Sequence, residues 1–488
     1  MPSSACTLLV LSLLLYVCGA LGSVAPSGFL TSLNIAAIEN IEATFLPVLE
    51  KAFTSITVPD IHEKHVDTPI GHVDIDLTSI HINVTDWGHF AISFSETGVS
   101  VNISGFTMKG SMDWAWSMKY MSDHGSADLK VKDVAIGLTI GLHDHSGELY
   151  LDVPYVHADV GNIDVDMHGS IVSWLYDLVI DACEGTIKDS IEDSIEDSLP
   201  DAILDISEDT LATMVMVAPI DSEEYIFLYL TGDPVVTADS LSLYAQGQFG
   251  QYDDPSWVYP LTIVPHTLSD GDFTSLQLVI TEDVPNSLLA LSTDRGVLGF
   301  NITNADVGAD FEKWWPLTIR SLAVFMPGLR DIFPDQDMEF YMQLEPSEYP
   351  TVSFSDSDGM HLAADATISA IACDGYQTDI FDLDLHLALS MEPLLMSNST
   401  DVFISAVFEF EDMDLDTVYT ITDSIDLSGL GDVIDVLFEY VIIPLWNDLF
   451  EVIGGIPLPL VPGVQFVNSS FLYGDRLFQI ATDFTFTI

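Results

Sequence analysis

Long runs in which large apolar residues alternate with polar ones constrain the fold of this chain more than any other feature. Such alternation covers residues 73–77, then 80–84 after a change of parity, then 90–94. This period of two places the apolar side chains on one face of a strand, and the change of parity between Leu77 and Ile80 predicts a β-bulge. We therefore expect long, curved antiparallel sheets, each with one apolar face.

Four other segments carry apolar residues at spacings of three or four, which predicts amphipathic helices. They are residues 33–53, about 170–201, 310–325 and 432–453. Pro47 and Pro444 are expected to kink the first and last of them. In the second, an apolar residue at every fourth position from Ile187 to Leu199 forms one row, and the acidic residues between are interpreted as a solvated face.

The first 22 residues have the features of a secretory signal peptide. Residues 8–17 are an apolar run shorter than a membrane span, and Ala20 and Gly22 fit a cleavage site. An uncleaved anchor is the alternative. Five Asn-x-Ser/Thr sequons support secretion and are expected to carry glycans. They lie at Asn83, Asn102, Asn301, Asn398 and Asn468. We expect an extracellular protein, with an endolysosomal or vacuolar lumen as the alternative.

The predicted elements follow the order helix, strands, long helix, strands in each half of the chain. Between the halves lie the turn formers Asp253, Asp254 and Pro255. This repeated order predicts a duplicated α+β unit. We expect a signal peptide over 1–22, an N-terminal domain over 23–246, a linker over 247–260 and a C-terminal domain over 261–488. Cleavage leaves Cys183 and Cys373, which we interpret as buried free thiols, with a disulfide as the alternative.

The charge of the chain argues against several classes of function. Twelve Lys and Arg residues stand against 76 Asp and Glu residues, a formal net charge of −64, yet 48% of residues are hydrophobic. The apolar content supports large cores, unlike that of acidic disordered segments, and so few cations disfavour binding to nucleic acid. The chain contains no nucleophile elbow, phosphate loop or His-Glu-x-x-His motif. We predict a protein that is not an enzyme and uses no cofactor or metal.

Four short stretches, taken in their order and spacing, resemble a known family. They are ITVPD at 56–60, SIVSWL at 170–175, GQF at 247–249 and GIPLP at 455–459. The chain resembles the bactericidal/permeability-increasing protein, lipopolysaccharide-binding protein and lipid-transfer protein family over nearly all of its length after the leader. The resemblance implies an α+β boomerang of two tubular lipid-binding domains placed end to end. Each domain is then a curved antiparallel sheet around a long helix, and a central sheet joins the two.

The resemblance also implies a secreted, non-catalytic glycoprotein that binds or transfers phospholipid or another amphipathic lipid, with one apolar pocket per domain. The helix residues expected to line the pockets are Ile38, Phe45, Leu49, Leu175, Leu178, Leu317, Val436 and Val441. Antibacterial members of the family carry basic residues at the N-terminal tip, whereas residues 62–72 hold Lys64 alone. Two alternatives remain, a lipopolysaccharide-binding antibacterial protein of this fold and a structural or adhesive glycoprotein.

Trp114 and Trp116 stand two residues apart in a predicted hairpin and therefore share one face. We consider them candidates for transient contact with a membrane or lipid particle, because Trp is favoured at lipid interfaces. Filling of the barrel end is the alternative.

Ten of the thirteen histidines lie at or before His168. Protonation below about pH 6.5 would reduce the negative charge of this half, so we hypothesise that acid alters lipid release. His143 and His145 flank Asp144 in a predicted turn and are interpreted as solvated residues rather than metal ligands. Residues 356–359 are interpreted as a β-turn rather than a calcium loop.

Overall fold

The structure of the protein is a computed structural model, and it describes most of the chain after the predicted leader. The described residues are 27–34, 37, 49, 53, 56–68, 71–95, 97–168, 173–211, 216–220, 224–251, 259, 275–305, 316–326, 328–333, 335–344, 348–373, 377–397, 402–421, 430–444, 447, 456–458 and 464–486. Within these ranges, no helix has both the length and the apolar composition needed to cross a membrane.

The described elements are mainly antiparallel strands. In chain order the strands are β1 Phe29–Asn34, β2 Ile61–Thr68, β3 Gly71–Asp86, β4 His89–Ser95, β5 Gly98–Met118, β6 Met121–His145, β7 Glu148–Asp159, β8 Asn162–His168, β9 Val217–Pro219, β10 Glu224–Phe227, β11 Val235–Val236, β12 Ser240–Ala245, β13 Gln248–Gln251, β14 Leu276–Thr281, β15 Phe300–Ile302, β16 Met338–Leu344, β17 Thr351–Ser355, β18 Gly359–Ala372, β19 Thr378–Ser397, β20 Val402–Thr420, β21 Ile456–Pro457, β22 Val464–Gly474 and β23 Leu477–Phe486. The helices are α1 Ser173–Leu211, α2 Asp283–Asp294, α3 Ile319–Leu322, α4 Leu329–Ile332 and α5 Leu430–Leu437, the last followed by a π-helical turn, Phe438–Ile442.

Strands β2–β8 form the first seven-stranded sheet, in the order β2-β3-β5-β6-β7 with β4 beside β5 and β8 beside β6. The alternating apolar residues of β3 lie on the inner face of this sheet. Val73, Ile75 and Leu77 are at most 2% exposed. The predicted bulge is confirmed, because the β3–β5 register shifts between Thr78 and His81. The β5–β6 and β6–β7 pairs also shift register. Bulges increase the local twist and so curve a long sheet around its apolar face.

Helix α1 packs its predicted apolar row into the core of the first sheet. Every fourth residue from Ile187 to Leu199 is buried there, and the row continues to Ile203. The helix ends at Leu211 and not near Asp201 as predicted. It continues past Pro200 because Ile203 extends the buried apolar row. Leu175 and Leu178 lie in α1, but their side chains lie outside the described part of the structure.

Two glutamates on α1 bind the edge of the first sheet. Glu196 Oε1 accepts a hydrogen bond from the Ala158 N–H at 2.9 Å, and Glu192 Oε1 accepts one from the Val160 N–H at 2.7 Å. The bond from Ala158, aided by His157 at 2.8 Å, lowers the pKa of Glu196. The interpretation of this acidic segment as a solvated face is therefore incomplete, because two of its members satisfy N–H groups at a strand edge.

Strands β15–β21 form the second seven-stranded sheet, in the order β15-β16-β18-β19-β20-β21 with β17 beside β18. The helix predicted over 310–325 is shorter in the described residues, since Leu317 precedes α3 and Thr318 is an extended N-cap that bridges to Asp337. The Thr318 side chain accepts from the Ser321 N–H, which starts the four-residue helix at Ile319. Residues 310–315 lie outside the described part.

The last predicted helix, over 432–453, begins at Leu430 and changes geometry before Pro444. The π-helical turn lies there, with the Ile443 N–H bonded to the Phe438 carbonyl oxygen. In an α-helix, a proline ring clashes with the carbonyl group four residues earlier, and we expected this clash to kink the helix at Pro444. The wider π-helical turn before Pro444 relieves the clash. Residues 448–455 lie outside the described part.

A six-stranded sheet, β11-β12-β1-β14-β23-β22, joins the two halves. Strand β1 lies between β12 and β14, so a segment near the N-terminus pairs directly with the second half. Leu33, predicted to begin the first helix, instead lies in β1, because it is buried opposite Leu241 and Leu276. Leu276 belongs to the first hydrophobic core and Ile280 to the second, so this one sheet closes both cores.

Two further predictions bear on the junction and the cysteines. The predicted linker begins with a strand, because β13 pairs with β10, while residues 252–258 lie outside the described part. Cys183 and Cys373 are thiols rather than the two halves of a disulfide, as we interpreted them, with Cys183 buried and Cys373 half-buried. Burial raises the pKa of the Cys183 thiol to about 11.

We expect Glu196→Gln to lower the free energy of unfolding by about 1 kcal/mol near neutral pH, because it replaces a charged acceptor with a neutral one. The folded-state pKa lies below the ordinary 4.5, so this contribution is complete above that value and is lost as pH falls through the lowered pKa. Urea denaturation at neutral and acidic pH measures it. Asp197→Asn, at the exposed next residue, is the control, and an equal loss in both variants would contradict the edge contact.

Candidate functional site

An apolar pocket lies where α2, the central sheet and the second seven-stranded sheet meet. It contains about 790 Å³ of space free of protein atoms, part of it open to solvent. Its lining includes Phe249, Ile280, Pro285, Leu289, Phe354, Leu362, Met391, Ala406 and Phe478. Ser405 on β20 is the one polar residue among the described lining residues. Such a surface favours a hydrocarbon chain over a polar ligand.

Helix α2 forms one wall of the pocket and is not among the helices predicted from the sequence. Glu282 and Asp283 lie at its start, where negative charge is favourable. Pro285 lies in the first turn, where the missing N–H has no helical partner to lose. Leu288 and Leu289 then face the pocket. The acidic start followed by Pro285 was the available signal for a helix N-terminus.

Hydrogen bonds from α2 fix it against the neighbouring strands. The buried Asn286 amide donates to the Val352 carbonyl oxygen at 3.0 Å and accepts from the Val352 N–H at 2.6 Å. Ser287 Oγ accepts from the Phe249 N–H at 3.2 Å. Because Val352 and Phe249 also line the pocket, these bonds set the distance between its walls.

Ion pairs hold both ends of α2. Arg476 pairs with Glu282 at the start of the helix, and Arg295 pairs with the buried Glu224 just after its end. The hydrogen bond from Arg476 to Glu282 raises the pKa of the guanidinium further. The chain contains only four arginines, so half of them brace this one helix.

The GQF stretch that carried the resemblance builds the junction beside the pocket. Gly247 has a φ of 62°, and a Cβ atom there would lie 2.4 Å from the Phe29 ring. Glycine is therefore required by both conformation and space. Gln248 donates to the Tyr259 carbonyl oxygen at 2.9 Å, and Phe249 is a fully buried wall of the pocket.

The residues predicted to line pockets are distributed differently. Leu317 and Val441 are buried in the second core and Val436 is half-buried on α5, but this pocket is lined by other residues. Leu49 is buried in the first core. Ile38 and Phe45 lie outside the described part. Contact of these residues with lipid stays a prediction.

The pocket walls that were not predicted from the sequence are mainly strand residues. Met360 and Leu362 in β18, for example, show the period of two that assigns them to the inner face of the sheet. The signal for an inward position was therefore present. Their place beside Ala406 depends on strand pairings between distant segments, which one sequence does not give.

Both tryptophans proposed for membrane contact point into the first core. Trp114 is 2% exposed and Trp116 is 6% exposed, and Trp114 Nε1 donates to the Ser126 carbonyl oxygen at 2.9 Å. Their strand register places them opposite Leu77 and Ile75, which are core residues. In this conformation the indoles occupy the interior, the alternative that we stated for them.

The prediction that His143 and His145 lie in a turn is wrong, because both end strand β6 and the turn follows at Ser146 and Gly147. His143 and His145 are exposed, and the His143 ring lies 3.3 Å from Asp152. The Asp144 side chain accepts from the Gly147 N–H. Residues 356–358 form the turn between β17 and β18. Within the described ranges, no group of three or more His, Cys, Asp or Glu side chains is placed to hold a metal ion.

Two long sheets with apolar inner faces, the second of which borders an apolar pocket beside α2, are typical of lipid-binding proteins. Models of the LBP / BPI / CETP family match the N-terminal domain over residues 40–202 and the C-terminal domain over 218–486. The chain belongs to this family. Its lipid-binding fold and the two-domain architecture that the resemblance implied are confirmed.

Named relatives show how far the similarity extends. The chain is 23% identical to a bactericidal permeability-increasing protein of Sebastes schlegelii, over 90% of this chain and 91% of that protein. It is 25% identical to the human cholesteryl ester transfer protein over 64% of each chain. The crystal structure of a lipopolysaccharide binding protein superposes with a TM-score of 0.60 at 17% identity, covering 95% of this chain and all of the other.

We expect Asn286→Ala to lower the free energy of unfolding by about 3 kcal/mol, because it removes two hydrogen bonds and leaves both Val352 backbone groups without these partners. Chemical denaturation of the full chain measures the change. Ser353→Ala, at the exposed residue next to Val352, is the control. A loss below about 1 kcal/mol for Asn286→Ala would show that α2 is not held by this contact.

Proposed function

We propose that the protein is a secreted, non-catalytic carrier that holds the acyl chains of a phospholipid in apolar pockets. The observation that supports this proposal is the pocket between α2 and β20, whose walls are apolar apart from Ser405. The hydrocarbon chain of a ligand in this pocket is removed from water. Its polar end remains near the opening. Membership of a family named after lipopolysaccharide-binding and cholesteryl ester transfer proteins agrees with this role.

The size of the hydrophobic effect makes such a ligand stable. Burial of one CH₂ group contributes about 0.8 kcal/mol, so ten methylenes contribute about 8 kcal/mol before the cost of association. No charged group has to enter the pocket for this gain. We propose that the lipid is a phospholipid, whose polar headgroup would remain in solvent at the opening of the pocket.

We propose the same arrangement in each half of the chain, with domains over 23–246 and 261–488. The first domain contains α1, the longest described helix, and its main sheet has seven strands, as does that of the second domain. Its pocket would be lined by the helix residues predicted above, which include Leu49, Leu175 and Leu178. Two pockets would give the protein a capacity of two lipid molecules.

Lipopolysaccharide binding is the second candidate, since the acyl chains of that lipid would fit the same kind of pocket. The solved relative of that name, which shares the fold, motivates it. A lipopolysaccharide headgroup carries phosphates, however, and the two turns at the end of the first sheet contribute only Lys64 and Lys119 as cations. The two candidates therefore differ in the headgroup and not in the pocket.

Native mass spectrometry of the purified full chain, followed by lipid extraction, tests the proposal. We expect bound phospholipid in the wild type and lower occupancy in Ala406→Trp, because the new ring fills the pocket. Val407→Trp is the matched control, since Val407 is the next residue but is exposed. A protein that remains empty after incubation with phospholipid vesicles would contradict the proposal, and exclusive recovery of lipopolysaccharide would favour the second candidate.

We propose further that the chain is secreted with its first 22 residues removed and carries N-linked glycans. Asn83, Asn102 and Asn468 are exposed on strands, as is Asn301, whose amide donates to Glu339. Expression in eukaryotic cells should deliver the protein to the medium with Ser23 or a nearby residue at its N-terminus. Treatment with a glycosidase should reduce its mass, and Asn102→Gln should remove one glycan. Retention in the cytosol without glycans would contradict this proposal.

A further inference from the structure

Strand β22 is an edge strand of the six-stranded central sheet. It pairs with β23 on one side, and none of the described strands pairs with its other side. Such an edge presents backbone N–H and C=O groups that can pair with a strand of another molecule. The opposite edge strand of this sheet, β11, has only two residues, whereas β22 has 11. The long edge of the central sheet is therefore β22.

The strands at the ends of the other described sheets have features that hinder pairing with another chain. Strand β2 contains acidic and basic residues, and β7 contains Pro154 together with acidic residues. Strands β9, β13, β15 and β21 have four residues or fewer. Charge, proline and short length are common protections of a sheet edge.

Strand β22 has none of these protections. No Asp, Glu, Lys or Arg occurs between Glu451 and Asp475, and the strand contains no proline. Val467 is 37% exposed and Leu472 is 46% exposed. A long, uncharged edge with exposed apolar side chains favours association with another sheet edge unless something covers it.

The negative charge of the rest of the chain does not protect this edge. Repulsion between charges more than about 8 Å apart is largely screened at physiological salt. The strand itself contributes none of the 76 acidic residues. Two copies of the protein could therefore approach each other at β22 without bringing like charges of this strand together.

A glycosylation sequon lies at a bulge in the middle of β22. The register with β23 shifts between Val467 and Ser470, so β22 contains one extra residue there. Asn468 lies in this bulge with a φ of 57°, in the left-handed region that asparagine tolerates. The residue is exposed, and it begins the sequon Asn-Ser-Ser.

We propose that an N-linked glycan on Asn468 covers the free edge of β22 and prevents the protein from pairing with a second copy of itself. The bulge interrupts the edge but leaves two regular stretches, 464–467 and 470–474, that are each paired with β23 on one side only. A glycan on residue 468 lies between these stretches and obstructs both. It has the role that charge, proline or short length has at the other sheet ends.

The association that the glycan prevents is a symmetric one, in which β22 pairs with the same strand of another molecule in antiparallel orientation. A pair centred on Leu472 would bring the two Leu472 residues together at the symmetry axis. Each Asn468 would then lie four residues from the axis, a distance of about 13 Å, opposite the β22–β23 turn of the other molecule. The glycan of each copy would therefore occupy space that the other copy requires.

This inference deepens the proposed function and rests on it, because N-linked glycans are added to chains that enter the secretory pathway. No described residue of β22 lines the pocket, so pocket occupancy reports on the carrier function alone. Glycans on the other sequons report on secretion. Normal occupancy and normal glycans elsewhere, without association of a chain that lacks the glycan on Asn468, would overturn only the present inference.

Size-exclusion chromatography with light scattering tests the inference on the full chain secreted by eukaryotic cells, over a range of protein concentrations at physiological salt. We expect wild-type protein to keep the mass of one chain, with carbohydrate on Asn468 in glycopeptide mass spectrometry. Ser470→Ala removes the sequon, and its mass should rise towards twofold as the concentration increases. Asn468→Gly removes the glycan by a second route and should behave alike, since glycine suits a φ of 57°.

Three variants serve as matched controls. Ser470→Thr keeps the sequon and should retain the mass of one chain. Asn102→Gln should also retain it, because it removes a glycan from β5 at a residue that is paired with both β4 and β6. Leu472→Lys added to Ser470→Ala places a charge on the edge and should restore the mass of one chain.

Several outcomes would overturn the inference. One is wild-type protein without carbohydrate on Asn468. Another is a folded Ser470→Ala or Asn468→Gly chain that keeps the mass of one chain at every concentration. Equal association of Asn102→Gln would show that loss of any glycan has this effect, and continued association after Leu472→Lys would show that the contact does not involve β22.

Discussion

The apolar face of a long sheet must be removed from water, and this requirement organises the rest of the structure. Each seven-stranded sheet exposes such a face on one side only, because its strands alternate with a period of two. Bulges such as the one at Ser79 curve the first sheet around that face, and α1 covers it with the row from Ile187 to Ile203. In the second half, α2 is held by hydrogen bonds to Val352 and Phe249, and an apolar pocket lies between α2 and the sheet. The space for a ligand is thus what remains when a curved apolar face is covered incompletely.

Two of the four arginines of this chain lie where they have a structural effect. Arg295 and Arg476 brace the two ends of α2, where the carboxylates of Glu224 and Glu282 are largely buried. Removal of either arginine would leave a buried carboxylate without its main partner, which is costly. Carboxylates also serve the fold, since two glutamates of α1 bind N–H groups at the edge of the first sheet. The large negative charge is therefore not only a property of the solvated surface.

Those features that depend on local periodicity could be predicted from the sequence. The alternation of β3, its bulge and the apolar row of α1 follow from residue spacing alone, and the structure confirms them. Leu33 shows the limit, because an apolar residue ahead of a helical pattern fits a strand equally well, and only the pairing with Leu241 and Leu276 decides.

Features that depend on pairings between distant segments could not be predicted in this way. The pocket is one of them, since Phe249, Leu289 and Ala406 come from separate parts of the chain. Trp114 and Trp116 are another case, because their spacing predicts a shared face but not its direction. That direction follows from the core residues opposite them on β3.

The central claim is that the space between α2 and β20 holds a hydrocarbon chain. A crystal structure of the full-length secreted protein, purified from eukaryotic cells without added lipid or detergent, tests this claim most directly. The account predicts continuous, elongated electron density between Leu289 and Ala406, with its polar end at the opening of the pocket. A pocket without such density, in which the side chains of α2 and β20 have closed together, would contradict it.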